Sequence, residues 1–291
     1  MKLLTLREAY VQASSFFESK QIGQDPQRTA RWLLEYFTGY RLSELMLRWD
    51  EPFPEDRIEQ WRQALERKGK GEPVQYIIGE QEFYGLPFAV NPDVLIPRPE
   101  TEILVEEVLK LAEGRFKDSN PTVADIGTGS GAIAVTLAAK APGWDRIIAS
   151  DLSAGALKTA KENAARHQVL HKITFVQGDL MQPLIEQSAV IDVLVSNPPY
   201  IPSKDIPLLQ AEVKDYEPVL ALDGGEDGLE VYRRLFEQMS QLDVPPAWVG
   251  LEVGQGQSAA VKEMMEQLKL WDVVETVRDL SGIERHVIAK R

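Results

Sequence analysis

A chain of 291 residues, 44% of them apolar, can bury a sizeable core as one large domain or as one medium and one small domain. It has no cysteine, which excludes disulfides, thiolate zinc sites and a thiol nucleophile. The formal net charge of −13 is uneven: residues 1–80 hold 12 basic and 13 acidic side chains and residues 81–291 hold 20 and 32, a balance that argues against the basic face by which nucleic-acid enzymes grip phosphate.

The opening MKLLTLREAY reaches Arg7 and Glu8 before an apolar stretch develops, so it does not read as a signal peptide. No run nears the ~20 apolar residues of a membrane span. The expectation is a cytoplasmic protein without a membrane segment. Leu6, Tyr10, Ala13 and Phe17 then recur at helical spacing. Asp25 before Pro26 is a helix start, and Gly39 is a helix stop. Another helix is expected from about Pro54 to Lys68, before Gly69, Gly71 and Pro73 interrupt. The domain division is therefore a helical region over 1–73, a β-hairpin linker over 74–97, and an α/β domain over 98–291. Within the linker, EFYGLPFAVNPDVLIP alternates apolar and turn residues. A helix follows from about Glu100 to Glu113.

From Pro121 onward, the segments TVADI, RIIAS, ITFVQ, IDVLVS and AWVGLEV read as strands separated by amphipathic helices. That alternation predicts a largely parallel sheet with helices on both faces. The final WDVVETVRDLSGIERHVIAKR reads as two strands joined at Ser281-Gly282, which places one antiparallel strand in the sheet. His167 and His171 stand four apart, a spacing seen in zinc helices. No acid follows in the HExxH manner, so they read as filler and no metal site is expected.

The strand TVADI runs into DIGTGSGAIA. Gly127, Gly129 and Gly131, with Thr128 and Ser130 between them, let the backbone turn tightly and approach a ligand at a helix N-terminus. This position after the first strand of an open sheet is a ligand site in such folds. Asp151 ends the next strand, where it can accept from both ribose hydroxyls of either a nicotinamide dinucleotide or S-adenosylmethionine. Asp125 favours the second: a carboxylate can help hold a charged amino-acid end, directly or through water, whereas it would repel a pyrophosphate. Asp179, after the third strand, can accept from an adenine amino group or can simply form a turn.

The fourth strand ends in Asn197-Pro198-Pro199-Tyr200. Two prolines fix the backbone and remove two N–H donors. The Asn197 side-chain oxygen and the Pro198 carbonyl are acceptors, and Tyr200 offers a flat face. The tetrapeptide makes a slot for a planar group bearing an NH2. By itself it names the atom attacked, not the molecule, since adenine, cytosine and glutamine all carry such a group.

At this point the sequence resembles a family, the glutamine methyltransferases of peptide chain release factors. The likeness runs through PVQYIIG at 73–79, FYGLPFAVNPDVLIPRPETE at 83–102, DIGTGSGAIA at 125–134, NPPYIP at 197–202, DYEPVLALDGGEDGLEVYRRL at 215–235 and the closing DLSGIERHVIAKR. The resemblance implies a class I, Rossmann-like seven-stranded methyltransferase domain with a small helical N-terminal domain that recognises the substrate. It implies S-adenosyl-L-methionine as cofactor, held by Gly127 to Gly131 and Asp151. The substrate would be the glutamine of a Gly-Gly-Gln motif, its amide held by Asn197, Pro198, Pro199 and Tyr200. Arg98, Pro99 and Glu100 would line the site, and Glu217 and Pro218 match an element near the substrate. Leu180 stands where the family often has an aromatic residue beside the adenine, so adenine packing here is aliphatic. For Arg98 the alternative is a surface salt bridge, and for Glu217 a tight acidic loop. The stretch from 202 to 223 is long enough to serve as a lid.

The chain is expected to act as a monomer on release factors, without direct nucleic-acid contact. A glutamine methyltransferase of a ribosomal protein would share the same loop and NPPY. A nucleic-acid amino-group methyltransferase would show a basic cleft. A nicotinamide-dependent oxidoreductase would need a hydride-handling acid or base, and none is evident. A scaffold that only binds cofactor would have no need of an amide clamp.

Overall fold

Thr5 sets the start of the first helix. Its hydroxyl accepts from the Glu8 N–H at 3.2 Å while the Glu8 carboxylate takes the Thr5 N–H at 2.9 Å, satisfying donors that a helix end leaves open. In the computed structural model, which describes residues 4–20 and 25–291, this helix is α1, Leu6–Ser19. Residues 1–3 and 21–24 of the expected helical domain lie outside the described residues. Helix α2, Pro26–Thr38, begins at the expected Asp25-Pro26 pair, where Asp25 Oδ1 accepts from Arg28 N at 2.8 Å, and it ends at Gly39. The helix expected from Pro54 is instead a 3-10 turn, Glu55–Arg57, leading into α4, Ile58–Gly69. Helices α3, Leu42–Leu47, and α5, Val74–Ile78, are too short for periodicity to reveal.

The chain divides into two compact units: Met1–Glu80 with Gln210–Tyr216, and Gln81–Leu209 with Glu217–Arg291. In the first, Leu6, Ala13 and Phe17 of α1 and Leu33 and Leu34 of α2 share one apolar core with Phe53 and Trp61. Phe37 and Trp61 meet edge to face at 5.7 Å between ring centroids. Val74 and Ile77 of α5 join this core, so residues 74–78 are helical where the reading of the sequence places the start of a hairpin linker. The hairpin itself is β1, Glu80–Phe83, and β2, Leu86–Ala89, turning at Tyr84 and Gly85, both at positive φ.

The second unit follows with α6 (Pro99–Glu113), β3 (Val123–Ile126), α7 (Ala132–Lys140), β4 (Ile147–Asp151), α8 (Ala154–Arg166), β5 (Ile173–Gln177), α9 (Gln182–Glu186) and β6 (Val193–Ser196). The short α10 (Ala211–Lys214) lies in the segment that belongs to the helical unit. There Lys68, buried, donates to Glu212 at 2.6 Å, and the Tyr216 hydroxyl donates to the Lys70 carbonyl at 3.0 Å. Burial pulls the Lys68 ammonium below its ordinary range, and the Glu212 carboxylate opposes that pull. The remaining elements are α11 (Glu230–Met239), β7 (Trp248–Glu252), α12 (Ser258–Leu268), β8 (Val273–Arg278) and β9 (Glu284–Lys290).

The seven-stranded sheet has the order β5-β4-β3-β6-β7-β9-β8. All pairs are parallel except those made by β9, the single antiparallel strand that the final segment predicts. Residues alternate across it as the pleat requires. Val123, Val193, Val195 and Trp248 point to one apolar layer, which includes Leu104 of α6 and Leu137 of α7. Ala124, Ile126, Leu194, Val249 and Leu251 point to the other, which includes Leu235 of α11 and Val261 of α12. This is the doubly covered α/β sheet expected. The chain leaves β3 toward β4 and β5, then returns to β6 on the other side. The switch point where such sheets bind ligands therefore lies between β3 and β6. Among the described residues, no helix is long and apolar enough to cross a membrane.

Candidate active site

Past the end of β3, Gly127, Gly129 and Gly131 all take positive φ, at +72°, +55° and +80°. A Cβ at Gly127 or Gly129 would meet nothing within 4 Å, whereas one at Gly131 would come within 3.1 Å of the Ala160 Cβ. The first two glycines leave open space in front of the loop, and the third lets α7 and α8 close on each other. The loop is fixed from behind. Gly127 N and Thr128 N donate to the Ser150 carbonyl, each at 2.9 Å. Asn163 Nδ2 donates to the Ser130 carbonyl at 2.8 Å and to the Ala89 carbonyl at 3.0 Å, so one buried amide joins the hairpin to the glycine loop.

The two aspartates near this loop do different work. Asp151 Oδ2 accepts from Gly129 N at 2.9 Å and Oδ1 from Ser153 N at 2.8 Å, and the residue still borders the cavity. Burial raises its carboxyl above the ordinary range against the pull of those backbone bonds. Asp125 does not border the cavity at all. It is fully buried, with Oδ2 accepting from Thr128 Oγ1 at 2.7 Å and Ala134 N at 3.1 Å, and Oδ1 makes no hydrogen bond. Burial pushes its carboxyl up to about 7. In this structure Asp125 ties the loop from beneath, through Thr128 and Ala134.

In front of the loop is a cavity of about 320 Å³. Its wall includes Gly127, Thr128, Gly129, Ser130, Asp151, Asp179, Leu180, Asn197, Pro199 and Arg98 among the residues singled out from sequence, together with Thr101, Leu152, Leu220 and Arg234. Asp179 is ion-paired with Arg234, a partner that sequence spacing does not suggest. Leu180 sits at positive φ, rare for a leucine, and its carbonyl accepts from Ser150 Oγ at 3.1 Å.

Gly131, Pro198, Tyr200, Glu100 and Glu217 are not part of that wall. Tyr200 packs against the apolar layer under α11 and α12, and its carbonyl accepts from Gln257 Nε2 at 2.9 Å. Burial pushes its hydroxyl up to about 12. The glycine-rich return near 224–228 closes on the same backbone: a Cβ at Gly228 would come within 2.4 Å of the Tyr200 carbonyl. Glu217 is buried, accepting from Arg98 Nη2 at 2.5 Å and Ile96 N at 3.2 Å, so it holds the segment that carries Arg98. Arg98 is thus the partner of a buried carboxylate and also a wall residue. The base of the 202–223 stretch is closed by a bridge between Ile201 and Asp223 and by the Ser203 hydroxyl on Asp223 at 2.6 Å. Thr101 and Glu252 complete the site behind Asn197; their spacing of 151 residues gives no local signal.

The arrangement fits an adenosyl cofactor by the chemistry of its lining. Open space lies in front of the glycine loop, a carboxylate at the next strand end, and apolar Leu152 and Leu180 line the cavity with Asp179. Residues 8–79 match the model of the PrmC N-terminal domain, and residues 100–224 match that of the methyltransferase small domain. The release factor glutamine methyltransferase of Geobacter sulfurreducens is 38% identical over 98% of this chain and 96% of its own length.

The chain belongs to the release factor glutamine methyltransferase family. The Bacillus subtilis member is 39% identical over 98% of this chain and 97% of its own. Among solved structures, the catalytic domain of human METTL16 in complex with an RNA hairpin aligns with a TM-score of 0.58 at 18% identity, covering 71% of this chain and 76% of that one. The N-terminal domain of METTL16 in complex with SAH aligns at 0.52 and 20% identity, again over 71% and 76%. At such identities the likeness carries the methyltransferase fold and nothing further. His167, one of the two spaced histidines, bonds the Pro87 carbonyl at 2.8 Å.

Proposed function

We infer that this family member transfers a methyl group from S-adenosyl-L-methionine to the side-chain amide nitrogen of a glutamine in a peptide chain release factor. The observation that carries the reading is the cavity that joins the glycine loop to Asn197 at the switch point of the sheet. Gly127, Thr128, Gly129 and Ser130 hold the cofactor's amino-acid end, with Asp125 and Gly131 shaping the loop from behind. Asp151 accepts from the ribose, and Asp179 and Leu180 receive the adenine. When bound, the cofactor supplies an electrophilic methyl group on a sulfonium.

The chain's own residues address the weakness of the nucleophile. An amide nitrogen has its lone pair delocalised into the carbonyl. Asn197 Oδ1 accepts one hydrogen of the substrate NH2 and the Pro198 carbonyl accepts the other, which raises electron density on nitrogen and stabilises the positive charge that develops there. Pro199, at the wall, keeps the backbone fixed so that this geometry costs no reorganisation. No strong base is needed, since an N-methylated, protonated amide is acidic and gives its proton to water. Tyr200 supports this backbone from the apolar side, while Arg98, Glu100 and Glu217 shape the substrate's entry.

The substrate glutamine is that of a Gly-Gly-Gln motif, and helical region 1–73 takes part in recognising the release factor, with 74–97 as linker and 98–291 as the methyltransferase domain. The protein works as a monomer in the cytoplasm, where translation proceeds, and needs no direct nucleic-acid contact. The excess of acidic side chains over 81–291 supports that last point. Incubation with labelled S-adenosylmethionine, a release factor, ribosomal proteins and RNA tests the reading, with mass spectrometry to locate the methyl group. A methylated glutamine in the release factor is expected. Label found only on a ribosomal protein or on RNA would overturn it.

A further inference from the structure

Behind Asn197 runs a buried polar chain whose direction the proposed chemistry leaves unexplained. Asn197 Nδ2 donates to Thr101 Oγ1 at 3.1 Å, and Thr101 Oγ1 donates to Glu252 Oε2 at 2.6 Å. The three residues come from the end of β6, the first turn of α6 and the end of β7. Thr101 is 4% exposed and Glu252 1%. The Tyr232 hydroxyl donates to the Glu252 backbone carbonyl at 2.7 Å, which leaves the carboxylate to Thr101. His286 Nε2, on β9, lies 3.8 Å from the same Oε2, beyond hydrogen-bond reach.

A threonine hydroxyl has one hydrogen. Glu252 Oε2, 2.6 Å away, accepts that hydrogen. The Thr101 oxygen then has nothing but lone pairs to offer Asn197. The Asn197 amide must turn its NH2 toward Thr101, and its Oδ1 takes the opposite side of the amide. Asparagine oxygen and nitrogen are nearly isosteric, so shape alone does not choose between the two orientations. A flipped amide would present donors to a substrate NH2 that also carries donors.

We propose that Thr101 and Glu252 are positioning residues that polarise the Asn197 amide, holding its oxygen toward the substrate. The proposal rests on the reading that an NH2 group is the acceptor of the methyl group. It assigns the direction of the hydrogen bond at the reacting nitrogen to a carboxylate that touches neither cofactor nor substrate.

Two substitutions test it while keeping the shape of the site. Glu252→Gln can offer its own NH2 to Thr101, whose hydrogen is then free for Asn197, and the amide flips. Thr101→Val removes the hydroxyl at nearly constant volume. Each is expected to lower kcat by about 100-fold, the scale of losing one aimed hydrogen-bond partner, with cofactor affinity by calorimetry within about threefold of wild type. Thr101→Ser, which restores the hydroxyl, should recover most of the rate lost in Thr101→Val. A merely structural role would lower the melting temperature and cofactor affinity along with kcat, and the serine variant would not rescue selectively. The proposal is overturned if folded Thr101→Val turns over at the wild-type rate, or if Thr101→Ser is as slow as Thr101→Val. Should Glu252→Gln fail to fold, the valine and serine pair decides alone. Wild-type methylation of the release factor glutamine checks the underlying reading separately, and a neutron structure showing the Asn197 deuterons facing Thr101 checks the orientation without any substrate.

Discussion

On the cofactor side of the cavity, the wall is centred on one short stretch, Gly127 to Ser130, in which backbone hydrogen bonds and positive-φ glycines do the shaping. On the acceptor side, Asn197 is backed by Thr101 and Glu252, and the neighbouring Arg98 is held by Glu217, so four separate segments meet there. A site made of backbone can be written as a short motif, because neighbouring residues determine it. A site made of side chains from distant segments has no such signature, and each member fails differently when removed.

That contrast can be broken most forcefully at Asp125. Its buried carboxyl titrates near 7, whereas in the unfolded chain it titrates at about 3.9. The native state therefore holds the proton more tightly, and this group's contribution to stability is lost as pH rises from about 4 to 7. Asn at this position keeps the acceptor for Thr128 and does not titrate. The stability of Asp125→Asn relative to wild type should rise by up to about 4 kcal/mol across that window. Urea unfolding at several pH values measures it, and a difference independent of pH would show that the carboxyl ionises normally.

Asn197→Ala comes next. It should lower kcat roughly 100- to 1000-fold, about 3–4 kcal/mol, with cofactor affinity nearly unchanged. Equal loss of both would show that the two sides of the cavity are not separable. Asp151→Ala belongs to the cofactor side and should weaken cofactor binding by roughly 1.5–3 kcal/mol, the scale of a charge-assisted hydrogen bond. Unchanged affinity by calorimetry would remove Asp151 from that wall. The smallest effect is expected for Arg98→Ala, which leaves the buried Glu217 carboxylate with only Ile96 N and should cost about 1–2 kcal/mol of stability. A denaturation midpoint equal to wild type would mean that Arg98 stands free in solution.

Much of this was legible residue by residue. The Asp25-Pro26 start and the Gly39 stop are local hydrogen-bond chemistry, and they hold. The segments ending in DIG and in NPPY were legible as strands of a parallel sheet, and the structure places them side by side. Short helices were not legible: α3 has six residues and α5 five, too few for a period of 3.6 to repeat clearly. Asp125 was legible as a residue of the loop, but its bonds to Thr128 and Ala134 were not. Which face of a strand a carboxylate takes depends on the sheet around it. Tyr200 is similar: its place in NPPY suggests a substrate face, while its ring packs into the apolar layer below.

From sequence alone, then, come the doubly covered parallel sheet, the glycine turn after its first strand and the asparagine at the end of its fourth. Alternation of apolar residues and local turn chemistry suffice for these. Only the tertiary structure decided that Arg234 pairs with Asp179, that Gln210–Tyr216 belongs with the helical unit, and that Thr101 donates to Glu252 behind Asn197. Those pairings join residues far apart in the chain. Their partners are selected by burial, where each polar group must find a hydrogen-bond partner among whatever the fold brings within about 3 Å.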